Sequence, residues 1–155
     1  MTDPTTSNLG AAILLEQHHR RLDDLLDEVE LLVDAENWKE AKLRFERFHR
    51  ELEEHIRLEE EVMFPAVEAH AAMPHGPTVV MRQEHVGIRQ SLMSVYTALT
   101  QERPISQTTT ELEAQLGDHN FKEERVLYPM FERFAPGGIR TALAGKVEAL
   151  LRGAA

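Results

Sequence analysis

The chain of 155 residues contains no cysteine. This absence excludes thiol catalysis, thiolate metal sites and disulfide bonds, so any metal must be held by nitrogen and oxygen ligands. A chain without cysteine suits a reducing compartment, and we expect a cytoplasmic protein. Residues 1–8 contain no basic segment, which predicts that no secretory signal is present.

Basic residues and long apolar runs are also scarce. Lys and Arg total 17 against 27 Asp and Glu, which gives a formal net charge of −10. Such a surface repels phosphate backbones, and no basic patch interrupts it, so nucleic acid is not an expected partner. The uncharged apolar runs are far shorter than the roughly 20 residues that cross a bilayer, so no membrane association is expected. Eight histidines beside many carboxylates remain as candidates for chemistry.

Strand patterns are missing too, since no segment alternates with period two. Apolar residues recur instead at helical spacing in five segments, about residues 9–34, 38–71, 78–101, 108–134 and 139–152. Asn37 suits the N-cap of the second segment, and Thr108 with Glu111 forms a capping-box pattern that opens the fourth. The sequence therefore predicts an all-α fold in one domain over residues 1–155, an up-down-up-down four-helix bundle over about residues 9–134 with an additional short C-terminal helix.

The sequence repeats itself internally. Residues 55–68, HIRLEEEVMFPAVE, align with residues 119–132, HNFKEERVLYPMFE, and six of the fourteen positions are identical. The segment that begins at His19 matches the segment that begins at His85 in the same way. A whole helical hairpin is therefore duplicated, and each copy carries one His on its first helix and a His-x-x-x-Glu motif on its second.

The spacing of these motifs has a physical meaning. Residues four apart lie one above the other on a helix face, and apolar neighbours at helical spacing predict that this face points inward. A pseudo-twofold relation between the hairpins would gather six side chains inside the bundle: His19, His55, Glu59, His85, His119 and Glu123. Buried carboxylates without counter-charges would cost several kcal/mol each, and a cation removes that cost. Imidazole with carboxylate suits iron, manganese or zinc, and two carboxylates can bridge two metals.

The order His, His-x-x-x-Glu, His, His-x-x-x-Glu, with Phe64-Pro65 and Tyr128-Pro129 after the two glutamate motifs, resembles the hemerythrin-like family, or HHE cation-binding domains, over about residues 10–134. The resemblance implies a hemerythrin-like bundle with two iron ions, an oxo or hydroxo bridge and an open position for a small molecule. It implies that His19, His55, His85 and His119 are terminal ligands, two per iron, and that Glu59 and Glu123 bridge. Manganese or a mixed pair of metals stays open.

Two departures separate the chain from the oxygen-carrying hemerythrins. Met81 stands where those proteins have a further His, and the fourth helix has His-x-x-x-Glu in place of His-x-x-x-x-Asp. Both departures argue against reversible oxygen transport. We expect a non-haem di-iron protein that binds or senses dioxygen, nitric oxide or peroxide. The alternatives are an enzyme with catalase- or peroxidase-like activity or one that decomposes nitric oxide, an iron-handling or stress-response protein, and, last, a metal-free interaction bundle.

Residues around the six candidates carry further expectations. Of the adjacent His18 and His19, we expect His19 to be the ligand and His18 to lie at the rim or behind a ligand. Glu60 and Glu124 either hydrogen-bond ligating imidazoles or lie on solvated helix faces. Three side chains within one turn of His19 or His85 can fill or wall off the open position: Glu16, Met81 and Glu84.

The remaining histidines and aromatic residues have simpler expected places. His49, His70 and His75 lack counterparts in the repeat, which favours surface positions. For Tyr96 and Tyr128, core packing is favoured over contact with a bound ligand. Four apolar side chains are expected to restrict water around the centre: Leu22, Ile56, Ile88 and Phe121.

Overall fold

The computed structural model describes residues 9–71 and 76–153, which form five helices and contain no strand. Helix α1 is Ala11–Asp34 and helix α3 is Pro77–Thr100. Helix α2 comprises Trp38–Leu58, a π-helical turn at Glu59–Met63, and Phe64–Ala71. Helix α4 likewise comprises Ser106–Lys122, a π-helical turn at Glu123–Leu127, and Tyr128–Phe134. Helix α5 is Gly137–Leu151. The all-helical prediction is confirmed.

One of the two predicted helix starts is correct. The side chain of Asn37 accepts a hydrogen bond from the Glu40 backbone N–H at 3.4 Å, as expected of an N-cap. The capping-box prediction at Thr108 is wrong, because α4 already begins at Ser106. The hydroxyl of Thr108 instead donates to the carbonyl of Ile105 at 2.8 Å. A hydroxyl in the first turn of a helix can bond backward to a carbonyl as readily as it can cap a free N–H.

The four long helices enclose a common interior. Helix α1 packs along α2, α3 packs along α4, and the two hairpins meet where α2 contacts α3 and α1 contacts α4. Helix α5 covers the outside of α1. The interior has two apolar clusters, one around Leu26 and Phe48 and one around Leu15 and Phe131. The buried His and Glu side chains lie along the helices between these clusters, so a polar layer crosses an otherwise apolar core.

Each π-helical turn ends two residues before a proline. The backbone N–H of Phe64 donates to the carbonyl of Glu59, and that of Tyr128 donates to the carbonyl of Glu123, each five residues back. Pro65 and the proline after Tyr128 lack an N–H, and a proline ring clashes with the carbonyl four residues earlier in a regular α-helix. A widened turn accommodates the ring. It also places Phe64 and Tyr128 on the same side of their helices as the preceding glutamates.

One residue that was expected to pack in the core is exposed. Tyr96 leaves about half of its surface in solvent, so the expectation of core packing was wrong for this residue. Apolar residues at helical spacing cover a wider part of the helix surface than the part that contacts a neighbouring helix. Residues at the edge of the apolar stripe therefore remain in water. Within the described part of the chain, no helix has the length and apolar character needed to cross a membrane.

Candidate metal centre

The structure gathers all six candidate ligands in one buried layer. Helices α1 and α3 each contribute one histidine, and α2 and α4 each contribute a histidine and a glutamate one turn later. Their donor atoms form two groups, each within 4.8 Å. The first site contains His19 and His55, the second contains His85 and His119, and both glutamates belong to both sites: Glu59 and Glu123.

Each glutamate directs one oxygen toward each site. In the first site, Glu59 Oε2 lies 3.3 Å from His55 Nε2, and Glu123 Oε1 lies 3.3 Å from His19 Nε2. In the second site, Glu59 Oε1 lies 3.3 Å from His85 Nε2, and Glu123 Oε2 lies 3.3 Å from His119 Nε2. All four imidazoles therefore face the centre through Nε2. Each carboxylate thus offers one oxygen to each pair of imidazoles.

Three of the four imidazoles are hydrogen-bonded to a carboxylate through Nδ1, the ring nitrogen on the side away from the centre. The pairs and their distances from Nδ1 to the carboxylate oxygen are His19 with Glu124 at 3.3 Å, His85 with Glu60 at 3.0 Å, and His119 with Glu84 at 3.0 Å. A carboxylate at Nδ1 selects the tautomer with the proton on that nitrogen, which leaves the Nε2 lone pair for a cation. Of the two roles expected for Glu60 and Glu124, the structure therefore shows the hydrogen bond to an imidazole.

The fourth imidazole is held by a longer chain of hydrogen bonds. His55 Nδ1 lies 2.8 Å from His18 Nδ1, and His18 Nε2 lies 3.1 Å from Glu51 Oε1. Glu51 also accepts hydrogen bonds from Arg21 Nε at 2.7 Å and from Arg47 Nε at 3.2 Å. Burial lowers the pKa of His18 to about 4, so the ring is neutral and can accept at one nitrogen while donating at the other. His18 thus lies behind a candidate ligand.

Sequence reasoning missed Glu51, although one signal was available. Glu51 stands one turn before His55, and the matching position in the repeat is Gln115. A carboxylate in one copy and an uncharged amide in the other marks a place where the halves differ. The carboxylate is only 6% exposed. Burial opposes its ionisation, but His18 and Arg21 outweigh burial and hold the pKa of Glu51 well below its usual range.

The electrostatics of the layer call for positive charge. Burial opposes the charge on Glu59, yet His55 and its other partners hold the pKa of Glu59 well below the usual value. Burial likewise opposes the charged forms of His19 and His119, but hydrogen bonds to Glu123 outweigh it and raise each pKa to about 9. In the absence of a metal ion, protons on these imidazoles supply the balancing charge.

Two carboxylate oxygens, Glu59 Oε1 and Glu123 Oε2, make no hydrogen bond of regular geometry among the described residues, although each lies 3.3 Å from an imidazole Nε2. Both side chains are almost completely buried. An unsatisfied buried polar atom costs about 1–3 kcal/mol, and more when it is charged. Both oxygens face the second site, where a cation would satisfy them. Four imidazoles and two carboxylates form a nitrogen and oxygen donor set that fits iron, manganese or zinc.

Comparison with known proteins agrees with this donor set. The model of the hemerythrin HHE cation binding domain family matches residues 11–131. The chain belongs to the hemerythrin family. Searches of curated proteins and of solved structures found no match.

This hemerythrin-family centre has a feature that the repeat alone does not predict. The hydroxyl of Tyr128 is fully buried in the first site, where it donates to Glu59 Oε2 at 2.7 Å and lies 3.3 Å from Glu123 Oε1. It also lies 3.0 Å from His19 Nε2 and 3.4 Å from His55 Nε2. Burial and the two carboxylates raise the pKa of Tyr128, so its phenol is protonated when no cation is bound. Tyr128 both packs in the core and contacts the candidate ligands.

Of the four apolar side chains expected around the centre, three line it and one does not. The six candidate ligands surround a small cavity, and Leu22, Ile56 and Ile88 line it as expected. Phe121 does not: it is 57% exposed, and the guanidinium of Arg125 covers its ring at 5.0 Å. A residue two positions after His119 lies roughly 200° around the helix from it, so the expectation for Phe121 was wrong.

The three residues expected to affect the open position differ in role. Met81 packs into the apolar cluster around Leu15, whereas Glu84 hydrogen-bonds His119. Glu16 is half-buried and is not among the described residues that line the cavity.

His49 and His70 lie away from the centre. His70 is exposed, as expected, and its ring stacks on Phe134. His49 is half-buried against Phe45. His75, for which a surface position is expected, lies outside the described residues.

Proposed function

We propose that this hemerythrin-family protein is a non-haem di-iron protein that binds or senses a small ligand: dioxygen, nitric oxide or peroxide. The observation that supports the proposal is the sharing of Glu59 and Glu123 by two donor groups. One metal ion would coordinate one oxygen of each shared carboxylate, whereas two ions would coordinate all four oxygens. Carboxylate bridges of this kind hold metals about 3.5–4 Å apart.

The proposed ligands follow from the geometry of the layer. His19 and His55 bind one iron, His85 and His119 bind the other, and Glu59 and Glu123 bridge. In this proposal the four long helices run up, down, up and down around the centre, within one domain. Iron is proposed over zinc because carboxylate bridging and small-ligand chemistry favour redox metals.

The residues around the centre favour binding over turnover. When bound, the two irons supply electrons and a coordination position for the small ligand. The chain excludes water with apolar side chains such as Leu22, Ile56 and Ile88, and it orients the imidazoles from behind. Among the described residues lining the cavity, Asp23 is the one carboxylate outside the proposed ligand set, and it is exposed. Apart from Asp23 and Asn120, the other lining side chains are apolar or belong to the proposed ligand set.

Metal content tests the proposal directly. We expect about two irons per chain in the purified protein, with visible absorption that is lost on reduction and returns in air. Glu59→Ala and Glu123→Ala are each expected to lose iron while the far-ultraviolet circular dichroism of the helices remains. Glu61→Ala is the matched control, since Glu61 is exposed and pairs only with the surface residue Arg57 in the described contacts.

Three results would decide against parts of the proposal. A folded protein that cannot be loaded with metal refutes the centre as a whole. Full iron content in Glu59→Ala refutes the bridging assignment. Rapid turnover of added peroxide or nitric oxide by the loaded protein replaces binding or sensing with an enzymatic function.

A further inference from the structure

We propose that the phenol oxygen of Tyr128 is a metal ligand of the first site, so that the two metal positions of this centre are chemically different. The inference rests on the proposed di-iron function and adds a donor to the four imidazoles and two carboxylates. It assigns a role to a buried hydroxyl that neither the repeat nor helix packing requires.

The distances from the Tyr128 hydroxyl oxygen to its neighbours are those expected between two ligands of the same metal ion. The oxygen lies between 2.7 and 3.4 Å from one donor atom of each residue of the first site. Metal bonds of about 2.0–2.2 Å place neighbouring donors roughly 3 Å apart around one ion. The contacts between the imidazole and carboxylate donors of this site, at 3.3 Å, fall in the same range. The phenol oxygen therefore completes a set of five donors around one position.

Packing does not explain the hydroxyl. Phe64 occupies the matching place in the other hairpin, and its ring stacks on His85 with centroids 5.6 Å apart. Tyr128 stacks on His19 at the same 5.6 Å. A phenyl ring thus fills this space without an oxygen. A buried tyrosine hydroxyl needs one hydrogen-bond partner, which Glu59 alone would supply.

The inference has a consequence for the second site. Ligation forms an oxygen–metal bond, breaks the phenol O–H bond and releases the proton to solvent. The first site then has five protein donors, whereas the second has four and faces the phenyl ring of Phe64. The small ligand should therefore bind at the second site.

The test compares wild type with Tyr128→Phe, Phe64→Tyr and Tyr96→Phe, all loaded with ferric iron. Iron per chain, visible absorption and resonance Raman spectra are measured. A ferric phenolate gives a charge-transfer band, and excitation in that band enhances tyrosine ring modes. Because the chain contains two tyrosines, these modes in both wild type and Tyr96→Phe identify Tyr128 even if Tyr128→Phe does not fold. We expect Tyr128→Phe to lose the modes while keeping its iron, and Phe64→Tyr to strengthen them.

Failure of this inference can be told apart from failure of the proposed function. Two irons per chain without tyrosine ring modes in wild type would overturn the ligand role of Tyr128 and leave the di-iron centre intact. Ring modes that persist in Tyr128→Phe would also overturn it. If none of the four proteins binds iron, both the centre and its fifth donor are refuted.

Discussion

The buried chain of hydrogen bonds behind His55 allows a quantitative prediction. Glu51→Gln keeps the shape of the side chain and removes its charge. The structural effect should be centred on His18, which is fully buried and loses a charged acceptor at 3.1 Å. Arg21 and Arg47 are partly exposed and can hydrogen-bond to water instead. The loss of their contacts with the Glu51 carboxylate should therefore change the free energy of unfolding little.

The expected magnitude follows from these contacts. A hydrogen bond to a charged group contributes about 1.5–3 kcal/mol, so we expect Glu51→Gln to lower the free energy of unfolding by about 2 kcal/mol. For a chain of this size, that loss lowers Tm by roughly 4–8 °C. The loss should be full at pH 7. It should shrink as the pH falls below the usual glutamate pKa of about 4.3, because Glu51 has a lowered pKa and stabilises the fold only while it is ionised.

Metal binding gives a second measurement of the same substitution. A group that orients a ligating imidazole typically changes metal affinity about 10–100-fold when it is mutated, and we expect that loss of iron affinity in competition with a chelator. Glu61→Gln is the control, since Glu61 is exposed and pairs with the surface residue Arg57. We expect the control substitution to lower the free energy of unfolding by under about 1 kcal/mol and to leave the iron affinity unchanged. Equal effects of the two substitutions on Tm and on affinity would refute the reasoning.

Two further predictions concern the rest of the fold. Burial and the neighbouring Glu30 raise the pKa of Glu113 to about 7, so its ionisation destabilises the fold progressively between the ordinary glutamate pKa and pH 7. Glu113→Gln should therefore raise Tm at pH 8 and have little effect at pH 4, and an equal shift at both values would contradict this. Leu26→Ala should cost about 2–5 kcal/mol in urea unfolding, because Leu26 is almost completely buried in the core. Leu31→Ala, at a position 68% exposed, should stay within about 0.5 kcal/mol of wild type, and similar losses for both would contradict the assigned burial.

Helical periodicity predicted the five helices, and the internal repeat predicted the six candidate ligands. Five helices follow from apolar spacing, since the hydrophobic period of a helix is a local property of the sequence. The repeat selected His55 with Glu59 and His119 with Glu123 because residues that match across a duplication occupy equivalent places in the fold. The structure places all six candidates in one layer.

Other features depend on how helices meet, which local sequence does not specify. The contact of His18 with Glu51 joins α1 to α2 and depends on the rotation of each helix. The π-helical turns shift the helix register by one residue, so regular helical spacing does not place Tyr128 beside Glu123. Phe121 was misplaced for a simpler reason. Its position between His119 and Glu123 in sequence is not a position between them on the helix surface.

The candidate ligands and the carboxylates that hydrogen-bond them come from both hairpins, so we expect metal binding to be coupled to folding. Glu60 of the first hairpin holds His85 of the second, and Glu124 of the second holds His19 of the first. Both donor groups also draw ligands from both hairpins, so neither hairpin alone contains a complete site. Metal should therefore bind the docked pair and not the separated hairpins, and a bound ion would stabilise the contact between the hairpins. At a free metal concentration 100 times the dissociation constant, this linkage adds about 2.7 kcal/mol to the stability of the docked state.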